Sequence, residues 1–127
     1  MKDYKNYFIV KEQPEIVYRA LVNPQIIKLW TGFEAIMTET VGEEFNLYDD
    51  SVVGQNIAFE PNKLIEQEWY FGEQEEPSIV TMKLHEHKKG TSLEFRQTNI
   101  PEEFYENIVD GIENIYMADL QDFYEGE

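Results

Sequence analysis

No cysteine occurs among the 127 residues, which excludes a disulfide framework and any thiolate chemistry. Apolar runs are short: none approaches the roughly 18 consecutive residues of a membrane-spanning helix. Met1-Lys2-Asp3-Tyr4 lacks the apolar core of a signal peptide. The expectation is therefore a cytoplasmic protein with no membrane span. Glycine is sparse, and Gly42, Gly54 and Gly72 stand alone, so no glycine-rich loop is present to cradle a phosphate. Positive charge is scarce too. Lys and Arg number 10 against 26 Asp and Glu, a formal net charge of −16. That argues against nucleic acid or an anionic membrane surface as a partner. Beyond Arg96 there is no Lys or Arg, while Glu102, Glu103, Glu106, Asp110, Glu113, Asp119, Asp122, Glu125 and Glu127 crowd the same stretch. The acids form either a solvated face or a docking surface for a basic protein.

What is present suffices for a core. With 42% hydrophobic and 14% aromatic residues, the chain reads as one globular domain over residues 1–127. Lys5 to Lys11 is rich in strand formers and reads as the first strand. Pro14 opens a short helix carrying Ile16, Val17, Ala20 and Leu21, and Asn23-Pro24 breaks it. A second short helix runs from Pro24 to about Leu29 and ends at Trp30-Thr31-Gly32. Strand-like runs follow at Glu34–Glu39, Glu44–Tyr48, Val52–Phe59, Leu64–Phe71, Ile79–His87 and Thr91–Thr98. Turns at Asp49-Asp50-Ser51, Pro61-Asn62 and Lys88-Lys89-Gly90, and a charged loop from Gly72 to Pro77, separate the later runs. Short connections between consecutive strands predict an antiparallel meander.

The chain closes on one long helical pattern. Pro101 suits a first helical turn, and Glu102, Glu103 and Glu106 sit where the helix dipole favours negative charge. Phe104, Ile108, Ile112, Ile115, Leu120 and Phe123 recur at helical spacing, widened by Tyr105, Val109 and Tyr116. A helix from Pro101 to Tyr124 would run about 36 Å. Its stripe needs a broad apolar surface, and the strands supply one, with Trp69 and Phe71 expected against Ile108, Ile112 or Ile115. The resulting class is α+β: a helix-grip fold, with a curved antiparallel sheet of six to seven strands around the C-terminal helix and two short helices after the first strand.

These elements carry a family likeness. Pro14-Glu15-Ile16-Val17-Tyr18-Arg19-Ala20-Leu21, then Asn23-Pro24, Trp30-Thr31-Gly32, Gly42 with Phe45, and Asp50-Ser51-Val52-Val53-Gly54 stand in a characteristic order. Pro61-Asn62-Lys63, Trp69-Tyr70-Phe71, Ile100-Pro101 and Gly111 with Tyr116 and Leu120 complete it. The chain resembles the heat-shock-protein-90 ATPase activator-like domains of the START-like (SRPBCC, Bet v 1-like) superfamily. It departs from them at Ile112, where the family has Trp, and at Ser51, where the family has Gly. The resemblance implies the helix-grip fold and a cavity between helix and sheet. It also implies a role in binding lipids, hormones or polyketides, or in stimulating a chaperone.

The candidate site residues are polar side chains on otherwise apolar strand faces: Asn56, Gln67 and Gln97. A buried amide needs a hydrogen-bond partner. Either each bonds neighbouring backbone or a buried water, or the three face a cavity and take the polar end of a ligand. In the second case Trp69, Phe71, Met82, Phe95, Ile108 and Ile112 supply apolar walls, and the short helices ending at Trp30 form the lid. Gly111, mid-helix, marks either a kink or the mouth of a ligand cavity, or else a close approach to the sheet. His85 and His87 share one strand face, opposite Val80, Met82 and Leu84, and read as solvent-facing rather than as metal ligands. No cofactor, metal or catalytic constellation is indicated. Three functions remain open: binding of a small, mostly apolar ligand; interaction with a chaperone or another basic protein surface; and enzymatic action on a hydrophobic substrate.

Overall fold

A computed structural model describes residues 1–72, 74 and 76–125. Parts of the charged Gly72–Pro77 loop, and Glu127, lie outside the described residues. The elements run β1 (Lys2–Val10), α1 (Pro14–Val22), α2 (Pro24–Thr31), β2 (Glu44–Leu47), β3 (Val52–Glu60), β4 (Leu64–Trp69), β5 (Ser78–His87) and β6 (Gly90–Ile100). A C-terminal helix follows in four contiguous pieces: a 3-10 turn (Glu102–Phe104), α3 (Tyr105–Gly111), a π-helical turn (Ile112–Tyr116) and α4 (Met117–Glu125). Six antiparallel strands form one curved sheet in the order β1-β6-β5-β4-β3-β2. The last five strands make the meander, and β1 returns to lie beside β6. This is the helix-grip arrangement.

Local chemistry explains the boundaries. The Asn23 side chain accepts from the backbone N–H groups of Gln25 and Ile26 and caps α2. Gly32, at φ +83°, ends α2 in the left-handed conformation that glycine adopts without strain. Gly54 is required by space rather than by φ: a Cβ there would lie 1.9 Å from the Glu68 carbonyl oxygen of the paired strand. Trp30 donates its indole N–H to the Ala20 carbonyl at 2.9 Å, pinning α2 to α1.

Two expectations are corrected. Glu34–Glu39 is not a strand; only Ile36 pairs, as an isolated bridge to Asn46. Ile36 is 63% exposed, and of this stretch only Met37 is buried, so the segment has little apolar face to lay on a core. The sheet therefore has six strands. The helix is also not uniformly α. The Met117 N–H bonds back to the Ile112 carbonyl, five residues earlier, and this wide turn resets which side chains face the sheet. Ile112, Tyr116, Met117, Leu120 and Tyr124 are buried, whereas Phe104, Ile115 and Phe123 of the expected stripe are exposed.

The grip is uneven along the helix. The α4 segment packs on β1 and α2 and buries Met117, Leu120 and Tyr124. The α3 segment buries none of its residues. Truncating Ile112, which is 2% exposed, to Ala is expected to cost about 2–5 kcal/mol. Ile115→Ala, one turn on but outward, should cost no more than about 0.5 kcal/mol. Urea denaturation of the two variants checks the pair; equal losses would show that the π turn does not set the buried face.

Candidate functional site

Where α3 stands off the sheet, a cavity of about 410 Å³ opens. Its floor is Val52 and Val53 of β3, Trp69 of β4, and Tyr70 and Phe71 just beyond. Its roof is Phe104, Asn107, Ile108, Gly111, Ile112, Ile115 and Tyr116 of the C-terminal helix. Tyr48 and Ser51 of the β2–β3 turn complete the wall. The volume lies within the ordinary range of small-molecule sites, and so does the character: aromatic and aliphatic walls with few polar groups.

Of the expected ligand-binding residues, the cavity brings together Trp69, Phe71, Ile108 and Ile112. Asn56, Gln67, Met82, Phe95 and Gln97 are buried in the core beside it and do not line it. The three amides do lie on one row across the sheet, because Asn56 pairs with Gln67, Gln67 with Val80, Val80 with Gln97, and Gln97 with Tyr4. They are bonded largely within the protein. Gln67 Nε2 donates to Asn56 Oδ1 at 3.3 Å, and Trp69 Nε1 donates to Gln67 Oε1 at 3.0 Å. Asn56 Nδ2 donates to the Thr38 carbonyl, and Gln97 Nε2 to the Ser78 hydroxyl, both at 3.0 Å. Gln97 Oε1 is left without a partner among the described residues.

Gly111 resolves in favour of the cavity. A Cβ built on it would meet nothing within 4 Å, so the reading of a close approach to the sheet is overturned. His85 is exposed, with Nε2 3.1 Å from Glu94 Oε1. Among the described residues no cluster of metal-ligating side chains occurs.

The polar groups that matter at the cavity are ones the strand patterns did not single out. Tyr48, a bulky residue held at φ +54°, donates its hydroxyl to Asp119 Oδ2 at 2.8 Å. Its ring packs against Trp30 and Tyr116. Tyr116 sits among Trp30, Tyr48, Trp69 and Phe95, with ring centroids 5.5–6.5 Å away. Its hydroxyl has no hydrogen-bond partner among the described residues, and burial alone pushes its pKa up. Helical spacing alone puts Tyr116 on the apolar stripe, and the structure buries it; the spacing does not reveal its hydroxyl at a cavity wall.

Burial, and then the bond to Glu113 at 2.7 Å, push Tyr4 up to about 12 from its ordinary 10.0. Burial and carboxylate partners raise Tyr18 and Tyr48 as well.

The model of the family described as Activator of Hsp90 ATPase homolog 1-like protein matches residues 11–125. No curated protein matches the chain. Among solved structures, an HSP90 activator from Plasmodium falciparum is similar with a TM-score of 0.85 at 18% identity, over 97% of this chain and 96% of that one. An Aha1 dimer from Colwellia psychrerythraea is similar at 0.83 and 18% identity, over 98% and 97%. A protein from Mesorhizobium loti is similar at 0.77 and 22% identity, over 95% of each chain. At these identities the likeness speaks for the fold. No helix of the described residues is long and apolar enough to cross a membrane.

Two outcomes are expected from this geometry. Gln67→Leu strips partners from the buried Trp69 indole and Asn56 carbonyl, so chemical denaturation should show a loss of at least about 1–3 kcal/mol. A stability equal to wild type would mean the amide row is not a connected network. For Tyr4, the folded state favours the protonated hydroxyl, so its contribution is complete below pH 10 and lost as pH climbs through about 12. Unfolding measured across that window should fall less steeply in Tyr4→Phe, which has no proton to lose; parallel curves would remove Tyr4 from the alkaline transition.

Proposed function

This chain belongs to the Activator of Hsp90 ATPase homolog 1-like family, and from that membership we propose that it binds a small, mostly apolar molecule in the cavity between its C-terminal helix and the sheet. The observation that carries the reading is the cavity of about 410 Å³ under α3, walled by Val52, Val53, Trp69, Phe71, Ile108 and Ile112. Apolar surface facing a void forgoes both dispersion contacts and transfer free energy, at roughly 25 cal/mol per Å² of area that a ligand would cover. A ligand restores both. Phe104 and Ile115, each part-exposed, stand at the rim as the surface that a guest would cover on entry.

The test uses Trp69 as reporter and Gly111 as a plug. A panel of fatty acids, sterols and aromatic metabolites should include members that shift tryptophan emission and raise the melting temperature. Gly111→Leu should place a side chain in the open space at that position. It gains up to about 1 kcal/mol of helix propensity, and it should weaken those ligands at least tenfold in a chain no less stable than wild type. Unchanged emission and melting temperature across the panel would end the ligand reading.

A second reading rests on a different observation. Glu102, Glu103, Glu106, Asp110, Asp122 and Glu125 are exposed on the C-terminal helix, with no Lys or Arg beyond Arg96. Two of the similar structures are an HSP90 activator and an Aha1 protein. We propose as the alternative that this face docks on a chaperone or another protein through a basic surface. Such binding is screened as salt rises, since the Debye length falls from about 10 Å at 0.1 M to about 3 Å at 1 M. A purified partner whose affinity does not drop between those salt concentrations would show that the acidic face is not the contact.

A further inference from the structure

We propose that the cavity selects an uncharged ligand bearing a hydrogen-bond acceptor, with the Tyr116 hydroxyl as the donor that meets it; this rests on the reading of the cavity as a ligand site. Three tyrosines line the cavity. Tyr48 is spent on Asp119, and the Tyr70 hydroxyl lies 3.3 Å from Glu44 and 3.4 Å from Gln55. Tyr116, 3% exposed, has no partner among the described residues. Its ring is wedged by Trp30, Tyr48, Trp69 and Phe95, which holds the side chain on the cavity wall. A hydroxyl held in an apolar wall with no protein acceptor gains a hydrogen bond from a guest that brings one. The remaining polar wall residues, Ser51 and Asn107, are exposed at the rim.

Charge decides the other half. Among the described residues no Lys, Arg or His lines the cavity, and no Asp or Glu does either. A carboxylate entering it would be desolvated with no cation to receive it, inside a protein of net charge −16. The helix start offers no refuge, since Glu102, Glu103 and Glu106 already occupy its first turns. An ammonium would be drawn to the surface but would find no carboxylate on the wall. The ligand class that remains is neutral: an ester, ketone, ether or alcohol on an apolar body.

The test compares octanoate, methyl octanoate, octylamine and octane on the full chain at neutral pH, read by Trp emission and calorimetry, in wild type and Tyr116→Phe. Methyl octanoate should bind at least tenfold more tightly than octanoate and octylamine. Tyr116→Phe should reduce its affinity to that of octane while leaving octane unchanged. Octanoate or octylamine binding as tightly as the ester overturns the proposal. An ester affinity unmoved in a Tyr116→Phe variant of wild-type melting temperature does the same. Octane binding with no advantage for the ester rejects the donor role and keeps the apolar cavity, whereas no binding by any of the four rejects the cavity reading and this proposal with it. Should Tyr116→Phe not fold, the wild-type order of the four probes decides alone.

Discussion

The C-terminal helix carries carboxylates with no nearby Lys or Arg of its own, and the fold holds it through neutral donors. Glu113 receives the Tyr4 hydroxyl at 2.7 Å and the Asn6 amide at 3.3 Å, and Asp119 receives the Tyr48 hydroxyl. The Gln121 amide reaches the Ile9 carbonyl at 3.0 Å. The Lys11–Glu125 pair, by contrast, is exposed on both sides, where ion pairs contribute about 0–1 kcal/mol. A phenol donating to a half-buried carboxylate avoids the desolvation of a second charge. It also ties each tether to the tyrosine proton, which is why the alkaline limb, rather than the acid one, is where Tyr4 reports on the helix.

The tethers and the packing together set the helix's tilt. Met117, Leu120 and Tyr124 seat α4 on β1 and α2, and Glu113 and Asp119 anchor the middle. The α3 segment is held less firmly: it buries none of its residues, and Tyr105, Ile108 and Val109 are only partly buried against the core. The π turn sits at the change-over. Its extra residue per turn brings Tyr116 and Met117 inward as neighbours, so one side closes the aromatic cluster while the next begins the seated half. The cavity is the space left under a helix clamped at one end.

The strand periodicities, the proline and glycine punctuation, and the single apolar-striped helix were enough to read the helix-grip fold from residues alone. The period-2 faces of β4, β5 and β6 are buried as their alternation implied: Ile65, Gln67 and Trp69; Val80, Met82 and Leu84; Leu93, Phe95 and Gln97. Less of the site was legible. A period of 3.6 cannot register a π turn, so it points Ile115 and Phe123 inward and misses Met117. The amide row was correctly seen as inward-facing. Whether such amides face each other or a void depends on cross-strand register, and the pairing of Asn56 with Gln67 brings them within bonding reach. Trp69, Phe71, Ile108 and Ile112 were recoverable because sheet and helix stripes must oppose one another whatever the register.

Several departures from local preference border the cavity. Gly111 sits mid-helix, where it costs about 1 kcal/mol against Ala, although a Cβ would meet open space. Tyr48 holds a left-handed backbone that bulky residues rarely adopt. The Ile112–Tyr116 segment gives up regular α-helical bonding. Tyr116 presents a hydroxyl with no hydrogen-bond partner among the described residues. All four border the same cavity. An Ala at 111 would relieve one of these costs without disturbing the clamp on α4. Other departures lie outside the cavity lining, at Asp49, Asp50, Asn62 and Asn99, which hold positive φ, and at Gln97 Oε1, which has no partner among the described residues, so the cavity gathers a share of the local strain rather than all of it.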